Sequence, residues 1–377
     1  MTVEPSQDGA HPLRDVGVVD CSVALPGTFC TSLLQQFGAD VTVIEDTGGQ
    51  SQKGRSSFRD EHLAHSSTYY RYLRRGKRVV SLDLTSAEGR DSLRQTLGTA
   101  DVLVEDWQAG LFDETGIDRG EILQENPDLV IVSVTPYGRS GPQSGWPASD
   151  LTLLHGAGPG HATPGLVADP AKMPPLRMAS HQGELSSGLA AAINVCSAVF
   201  LRRRNGTGAP LSVDFSCHEA VANNVRQNVG TFAFYGGGLN RDLARGRGAG
   251  GTAEHRNIRC KDGWINMVWA GPQHWDSVGE LLGRPEWMED ERLATPGLRY
   301  KNWALVLPRL EEWAQQHEKE HLFYLCQGHR IPCAPVNNGP DLLTADVLDS
   351  RGYWDRESEG SDHPMPGRIN RMERGDG

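Results

Sequence analysis

Val16-Gly17-Val18-Val19-Asp20 and Val41-Thr42-Val43-Ile44-Glu45 are two short β-branched runs, and between them lies a stretch from about Thr28 to Phe37 closed by Gly38. Each run has the length and composition of a buried strand, and the intervening stretch reads as a helix that its glycine ends. A strand, a helix and a second strand in this order make a β-α-β unit. Its strands must be parallel, because that connection has to cross over the sheet. The pattern then repeats. Val79 to Leu84, Val102 to Glu105 and Leu129 to Val134 read as further strands. Ala87 to Leu97 reads as a helix, with Thr85 and Glu88 spaced as its capping box, and a helical stretch lies near Arg119 to Gln124. Strands and helices alternate from about residue 12 to about residue 140. The expected fold is α/β, with a Rossmann-like, doubly wound parallel sheet.

Past this region the pattern changes. Tyr137 to Pro175 is rich in Gly and Pro and reads as loops. Gly183-Glu184-Leu185-Ser186-Ser187-Gly188 then opens a long helix of small and apolar residues, Leu185 to Arg204. Arg202, Arg203 and Arg204 sit in its last turn, where cations complement the dipole, and Asn205-Gly206 ends it. Leu211 to Phe215 is strand-like and Cys217 to Val229 helix-like. A glycine-rich stretch, Tyr235 to Gly251, precedes a hairpin in which Asn257 to Cys260 and Trp264 to Trp269 flank Lys261-Asp262-Gly263. Residues from about 272 to 328 read as helical, with breaks near Pro285 and Pro296, and Ile331 to Val336 as extended.

Composition narrows the function classes. A net charge of −11 argues against a general nucleic-acid or membrane-surface role, which calls for a basic face. The seven cysteines are odd in number, irregularly spaced and without a C-x-x-C pair, so they read as reduced thiols rather than a disulfide framework or a zinc site. Met1 to Pro12 carries no apolar signal region, and no apolar run approaches the ~18 residues of a membrane span. The expected location is cytoplasmic.

Three motifs suggest chemistry that the residues around them do not support. The turn after the first strand reads Ser22-Val23-Ala24-Leu25-Pro26-Gly27, so a pyrophosphate finds no glycine-lined approach and NAD is not expected, although Glu45 and Asp46 end the second strand. His317-Glu318-Lys319-Glu320-His321 matches H-E-x-x-H, but charged residues lie between the histidines and no third ligand follows; a solvated helix end is expected, and no metal. Gly138-Arg139-Ser140-Gly141-Pro142 has its second glycine one residue early for a nucleophile elbow. His155, His161 and His181 are read as loop or core histidines rather than catalysts.

Several segments together resemble the class III CoA-transferases, a family that includes formyl-CoA transferase, carnitine CoA-transferase and α-methylacyl-CoA racemase. They are Val19-Asp20 with Gly27, Cys30 and Phe37-Gly38-Ala39-Asp40-Val41; Arg75-Gly76-Lys77-Arg78 with Ser81-Leu82-Asp83-Leu84 and Glu88-Gly89-Arg90; Ala100 to Glu105 with Gly110, Asn126-Pro127 and Tyr137 to Pro142; and Gly183 to Gly188 with Arg202, Thr207-Gly208 and Glu219-Ala220. Lys261-Asp262-Gly263-Trp264 and Ile331 to Val336 extend the likeness, which covers about residues 14 to 355. The resemblance implies a large Rossmann-like domain over residues 13–220 after a disordered tail, 1–12. It implies a smaller α+β domain with its linkers over 221–335, and a return to the large domain with a polar tail over 336–377. It also implies two chains interlocked like links, as a homodimer or with a homologue, and an active site between domains.

In the transferases of this family an aspartate in a G-D-x-x-x-G segment is the nucleophile, and Glu184 falls on that position. The segment Arg247 to Gly251 resembles the family's glycine loop, with Gly250 and Gly251 offering N–H donors to an oxyanion. Asp150 falls where the racemases carry an acid that moves the α-proton. The resemblance places contacts to coenzyme A at Val23, Ala24, Leu25, Lys77, Arg78, Asp106, Trp107, Tyr137 and Gly138. Asp46, Thr85, Glu114 and Leu25 depart from it, standing where formyl-CoA transferase has Arg, Lys, Arg and Gln; Lys53, Arg55, Arg74, Lys77 and Arg78 are the basic residues that remain. The expected substrates are an acyl-CoA and a carboxylic acid. Three readings follow: an acyl-CoA transferase working through Glu184, an acyl-CoA racemase working through Asp150 (with His155 as its second base), and a non-catalytic partner subunit.

Overall fold

The computed structural model describes residues 11–49, 68–107, 112, 115–163, 167, 169–206, 210–236, 256–268, 272–356 and 364–369. The chain divides into two compact units, Met1–Arg241 with Arg368–Gly377, and Asp242–Gly367.

The first unit is built on a six-stranded, wholly parallel sheet. Its strands are β1 (Gly17–Asp20), β2 (Asp40–Asp46), β3 (Arg78–Leu82), β4 (Val102–Glu105), β5 (Val130–Thr135) and β6 (Leu211–Ser216), in the spatial order β3-β2-β1-β4-β5-β6. Residues of β4 and β5 are buried on both faces, which is why these strands are continuous apolar runs rather than alternating ones. Helices α1 (Leu25–Gln36), α2 (Thr68–Arg74), α3 (Ala87–Leu97) and α4 (Arg119–Glu125) cross between the first five strands. The connection from β5 to β6 holds α5 (Asp150–Gly156) and the long α6 (Gln182–Asn205). After β6 come α7 (Cys217–Asn223) and α8 (Arg226–Tyr235).

Local chemistry departs from the sequence reading at three helix ends, in one of them by the capping residue alone. Helix α1 starts at Leu25 rather than Thr28, because Pro26 in its first turn brings a preset helical φ. Helix α3 is capped by Ser86, whose hydroxyl accepts from the Gly89 N–H at 3.0 Å; Thr85 instead gives both its N–H and its hydroxyl to Asp83. The single helix expected over Cys217 to Val229 is two, because the chain leaves helical geometry at Val225 (φ −106°, ψ 16°).

Helix α6 corrects a further expectation. By length and composition alone, Gln182–Arg204 is apolar enough to cross a membrane, contrary to the reading that no run approaches that length. Within the unit it packs on α1, with Ala191, Ala192, Val195, Ala198 and Val199 in the core. At Gly188 the absence of a side chain lets the two helices meet, since a Cβ there would lie 2.6 Å from the Pro26 carbonyl oxygen. Leu189, Ile193 and Phe200 stand exposed on the opposite side.

The second unit contains a three-stranded antiparallel sheet, β7 (Arg256–Cys260), β8 (Gly263–Met267) and β9 (Cys333–Pro335), in that order. β7 and β8 form the expected hairpin; β9 is the short strand within the extended stretch expected from Ile331. Helices α9 (Pro272–Leu281), α11 (Trp303–Ala314) and α12 (Lys319–Gly328) supply Val278, Val306, Leu310 and Leu322 to a core shared with Ile258 and Ile265, and α10 (Pro296–Lys301) precedes α11. Two short helices, α13 (Gly339–Leu343) and α14 (Asp346–Ser350), lead to the ribbon β10 (Trp354–Asp355) and β11 (Met365–Pro366).

Candidate active site

In a parallel sheet all C-terminal strand ends lie on one edge. Crossovers leave that edge in opposite directions on either side of β1 and β4, which opens a crevice there. β1 ends in Asp20 and β4 in Glu105, and both are fully buried. Asp20 accepts from Thr31 Oγ1 at 2.5 Å, from the Ser22 N–H at 3.0 Å and from Lys77 Nζ at 3.3 Å. The Lys77 ammonium also donates to the Thr28 carbonyl at 2.9 Å and to Thr31 Oγ1 at 2.7 Å. Burial pulls the Lys77 pKa below the ordinary lysine value, and the Asp20 charge opposes that pull. Glu105 accepts from Ser133, from the Trp107 N–H at 2.6 Å, and from Arg119 and Arg139 at 3.3 and 3.4 Å. Burial raises its pKa, while Ser133 and the two guanidiniums work the other way.

The residues just past β4 fix the turn after β1. Asp106 Oδ2 accepts from the N–H groups of Val23 and Ala24 at 2.8 and 2.5 Å. The Trp107 indole donates to the Cys21 carbonyl at 3.2 Å, and its ring lies 4.6 Å from that of Phe112. Leu25 is fully buried. Tyr137 and Gly138 follow β5: the Tyr137 ring lies 5.4 Å from that of His218, and Gly138 has a left-handed φ of 83° that a side chain would disfavour. The structure thus gathers Val23, Ala24, Leu25, Lys77, Asp106, Trp107, Tyr137 and Gly138 around the C-terminal strand ends. Arg78 is not among them. It opens β3 at the other edge of the sheet, with Nη2 donating to Thr42 Oγ1 at 2.7 Å and lying 3.8 Å from Asp40. Gly250, Gly251, Lys53, Arg55, Gly110 and Glu114 lie outside the described residues.

Glu184 lies in the first turn of α6 and is 3% exposed. The helix has no side-chain cap of its own, since its N-cap residue, His181, makes no capping hydrogen bond. Asp150 of α5 supplies one instead. Its Oδ1 accepts from the N–H groups of Gly183 at 2.8 Å and Glu184 at 3.1 Å, and its Oδ2 lies 3.9 Å from Arg177 Nε. Ser180 and His181 both have left-handed φ values, 63° and 53°. For residues other than glycine this is sparsely populated backbone, costing about 1–3 kcal/mol each, and such pairs concentrate at functional sites. The turn carries the imidazole over the carboxylate, with His181 Nδ1 2.8 Å from Glu184 Oε2. Against an ionised carboxylate, which only accepts, Nδ1 is the donor. The sequence reading assigned His181 to a loop or core; the structure brings it onto Glu184. His155 Nδ1 lies 2.9 Å from the Leu151 carbonyl of its own helix.

A buried thiol, Cys217, lies beside the start of α6. The Cys217 pKa is pushed up to about 12, chiefly by burial, and the charges of Glu184 and Asp106 both add to the rise. Ser187, one turn along α6 from Glu184, donates to the Gly183 carbonyl at 2.7 Å and to the Cys217 carbonyl at 3.4 Å. Elsewhere, α12 begins at Lys319, so His317 and His321 do not share a helix; their rings stack at 5.3 Å. Among the described residues no group of three or more His, Cys, Asp or Glu side chains is placed to hold a metal.

A doubly wound sheet with buried carboxylates at a switch-point crevice and at a neighbouring helix N-terminus defines an α/β protein of the Rossmann-like class. The chain belongs to CoA-transferase family III, whose family model matches residues 13–377, and the curated relatives named next are transferases. It is 28% identical to the succinyl-CoA:mesaconate CoA-transferase of Haloarcula hispanica, over 92% of this chain and 84% of that protein. It is 26% identical to the formyl-CoA:oxalate CoA-transferase of Streptomyces coelicolor, over 90% and 83%. It is 29% identical to the succinyl-CoA:(R)-benzylsuccinate CoA-transferase subunit BbsE of Thauera aromatica, over 93% and 85%. Among solved structures, a CaiB/BaiF family protein from Brucella suis shares the fold with a TM-score of 0.78 at 23% identity, covering 97% of this chain and 96% of that one.

Proposed function

We propose that this chain moves coenzyme A between carboxylic acids with Glu184 as its covalent nucleophile. The observation that carries this reading is the buried Glu184 carboxylate in the first turn of a 24-residue helix, its backbone N–H held by Asp150 and its Oε2 by His181. The helix dipole favours an anion there. In the first step a Glu184 oxygen attacks the thioester carbon of the donor; a C–O bond forms, the C–S bond breaks, and CoA leaves as its thiolate. The thiolate then attacks the glutamyl carbon of the mixed anhydride and expels the donor acid as its carboxylate. The acceptor carboxylate attacks the resulting glutamyl thioester and releases the thiolate once more. That thiolate takes the acceptor's acyl carbon, and Glu184 returns as a free carboxylate. No proton is gained or lost over the cycle.

Asp150 then acts as the clamp on the helix end rather than as a base, since its Oδ1 is engaged by two backbone donors. Around the strand ends, Val23, Ala24, Leu25, Asp106, Trp107, Tyr137 and Gly138 are the surface proposed to receive coenzyme A, with Lys77 neutralising Asp20 beneath it. The relatives named above are named for succinyl-CoA or formyl-CoA, which makes these the donors to try. The exposed Leu189, Ile193 and Phe200 on α6 support a second chain packed there, in a homodimer or with a homologue. Seven free cysteines suit a reducing cytoplasm.

The test is transfer itself. Purified chain is incubated with succinyl-CoA or formyl-CoA and a set of carboxylic acids, and new acyl-CoA is read by mass spectrometry. Transfer that disappears in Glu184→Gln supports the reading; deuterium uptake at the α-carbon without CoA exchange would point to the racemase instead.

A further inference from the structure

We infer that His181 is a catalytic residue of this chain: its Nδ1–H holds the Glu184 carboxylate for attack and then stabilises the oxyanion that forms on it. This rests on the glutamyl reading above and says how that carboxylate is made to work.

Three observations converge on the imidazole. His181 occupies the N-cap position of α6, yet its side chain does not cap the helix. That task falls to Asp150, which lies 33 residues before Gly183 in the chain. Freed from capping, the ring turns to Glu184 and places Nδ1 2.8 Å from Oε2. The turn that aims it runs through left-handed backbone at both Ser180 and His181, neither of which is glycine. Strained backbone leading to a hydrogen bond on a buried carboxylate is what a positioned catalytic group requires.

The chemistry assigns each oxygen a role. With Oε2 held by His181, the other carboxylate oxygen attacks the thioester carbon. Oε2 then becomes the carbonyl oxygen of the glutamyl half of the anhydride. When CoA thiolate attacks the glutamyl carbon, the C=O electron pair moves onto Oε2 and negative charge develops there. An N–H donor already lies at oxyanion-hole distance, so the bond strengthens as the transition state forms. Collapse of that intermediate expels the donor carboxylate and restores the carbonyl. The proton on Nδ1 stays where it is throughout. Glutamate also has one more rotatable bond than the aspartate of related transferases, and the imidazole fixes the extra freedom.

The test uses the full-length chain and follows exchange of isotopically labelled free succinate into succinyl-CoA, or of formate into formyl-CoA, with no other acid present, because this exchange must pass through attack of CoA thiolate on the glutamyl carbon. His181→Ala is expected to slow exchange by about 10²-fold, the scale for loss of one oxyanion donor, with KM changed less than about 3-fold. His181→Asn puts an amide N–H where Nδ1 was and is expected to recover most of the rate; His181→Gln puts it where Nε2 was and is not. Exchange in His181→Ala within about 3-fold of wild type, with Glu184→Gln inactive, overturns the role of His181 alone. Recovery by Gln and not Asn also overturns it and points to Nε2. Wild-type chain that exchanges neither thioester, or Glu184→Gln that exchanges normally, removes the glutamyl nucleophile and the inference with it. Should His181→Ala not fold, the comparison of Asn with Gln decides.

Discussion

Asp150 and Glu184 are joined through backbone rather than side chain: the Oδ1 of Asp150 accepts the N–H of Glu184 at 3.1 Å and that of Gly183 at 2.8 Å. A carboxylate from α5 therefore terminates α6 and fixes the position of the second carboxylate. Removing it leaves two buried N–H groups without an acceptor. Asp150→Ala is expected to destabilise the chain by about 1–3 kcal/mol, whereas Asp150→Asn, which keeps an acceptor oxygen, costs less. Urea unfolding of both variants checks this, and equal losses would argue against a capping role.

Shortening Glu184 draws its carboxylate away from His181 and from the attack position. Glu184→Asp is expected to lower the transfer rate by on the order of 10²-fold, the scale of a ~1 Å misplacement, with little change in stability. Steady-state kinetics beside thermal melting separates the two. A variant as fast as wild type would mean that the pocket does not depend on side-chain length.

Lys77 and Asp20 form a fully buried ion pair beneath the strand ends, 3.3 Å apart. Lys77→Met leaves Asp20 charged, buried and short of its cation. The expected loss is about 3–5 kcal/mol, well above that of a surface pair. Asp20→Asn with Lys77→Met should recover part of it, and a denaturant double-mutant cycle measures the coupling.

Burial lifts the Glu105 pKa above its ordinary value. The folded chain then keeps this proton to a higher pH than the unfolded chain. Folding takes up a proton between the two values, so this group's contribution is greatest below the window and falls as pH rises through it. In Glu105→Gln that slope should vanish, because nothing titrates there. Unfolding free energies measured across the mildly acidic range give the wild-type value minus that of Glu105→Gln; this should fall as pH rises, and a rise with pH contradicts the assignment.

The parallel sheet was legible because its central strands β1, β2, β4 and β5 are short apolar, largely β-branched runs that are mostly buried, with helical stretches between them. Glu184 was legible through its place in Gly183 to Gly188 and its resemblance to a known nucleophile segment. What the sequence hid depends on geometry that its residues do not announce. His181 is carried to Glu184 by left-handed backbone at Ser180 and His181, which serine does not favour and histidine favours only weakly. Asp150 sits inside its own capping box, Ser149 with Thr152, so nothing local marks it as the cap of a second helix. Helix α6 escaped the membrane test because its alanines and serines dilute the apolar run that its packing on α1 requires.

The most direct measurement is peptide mass spectrometry after incubation of the chain with succinyl-CoA or formyl-CoA and a hydroxylamine chase. The account predicts a hydroxylamine-sensitive adduct on the peptide that holds Glu184, absent in Glu184→Gln. An adduct on another carboxylate, or turnover with Glu184 left unmodified, would contradict it.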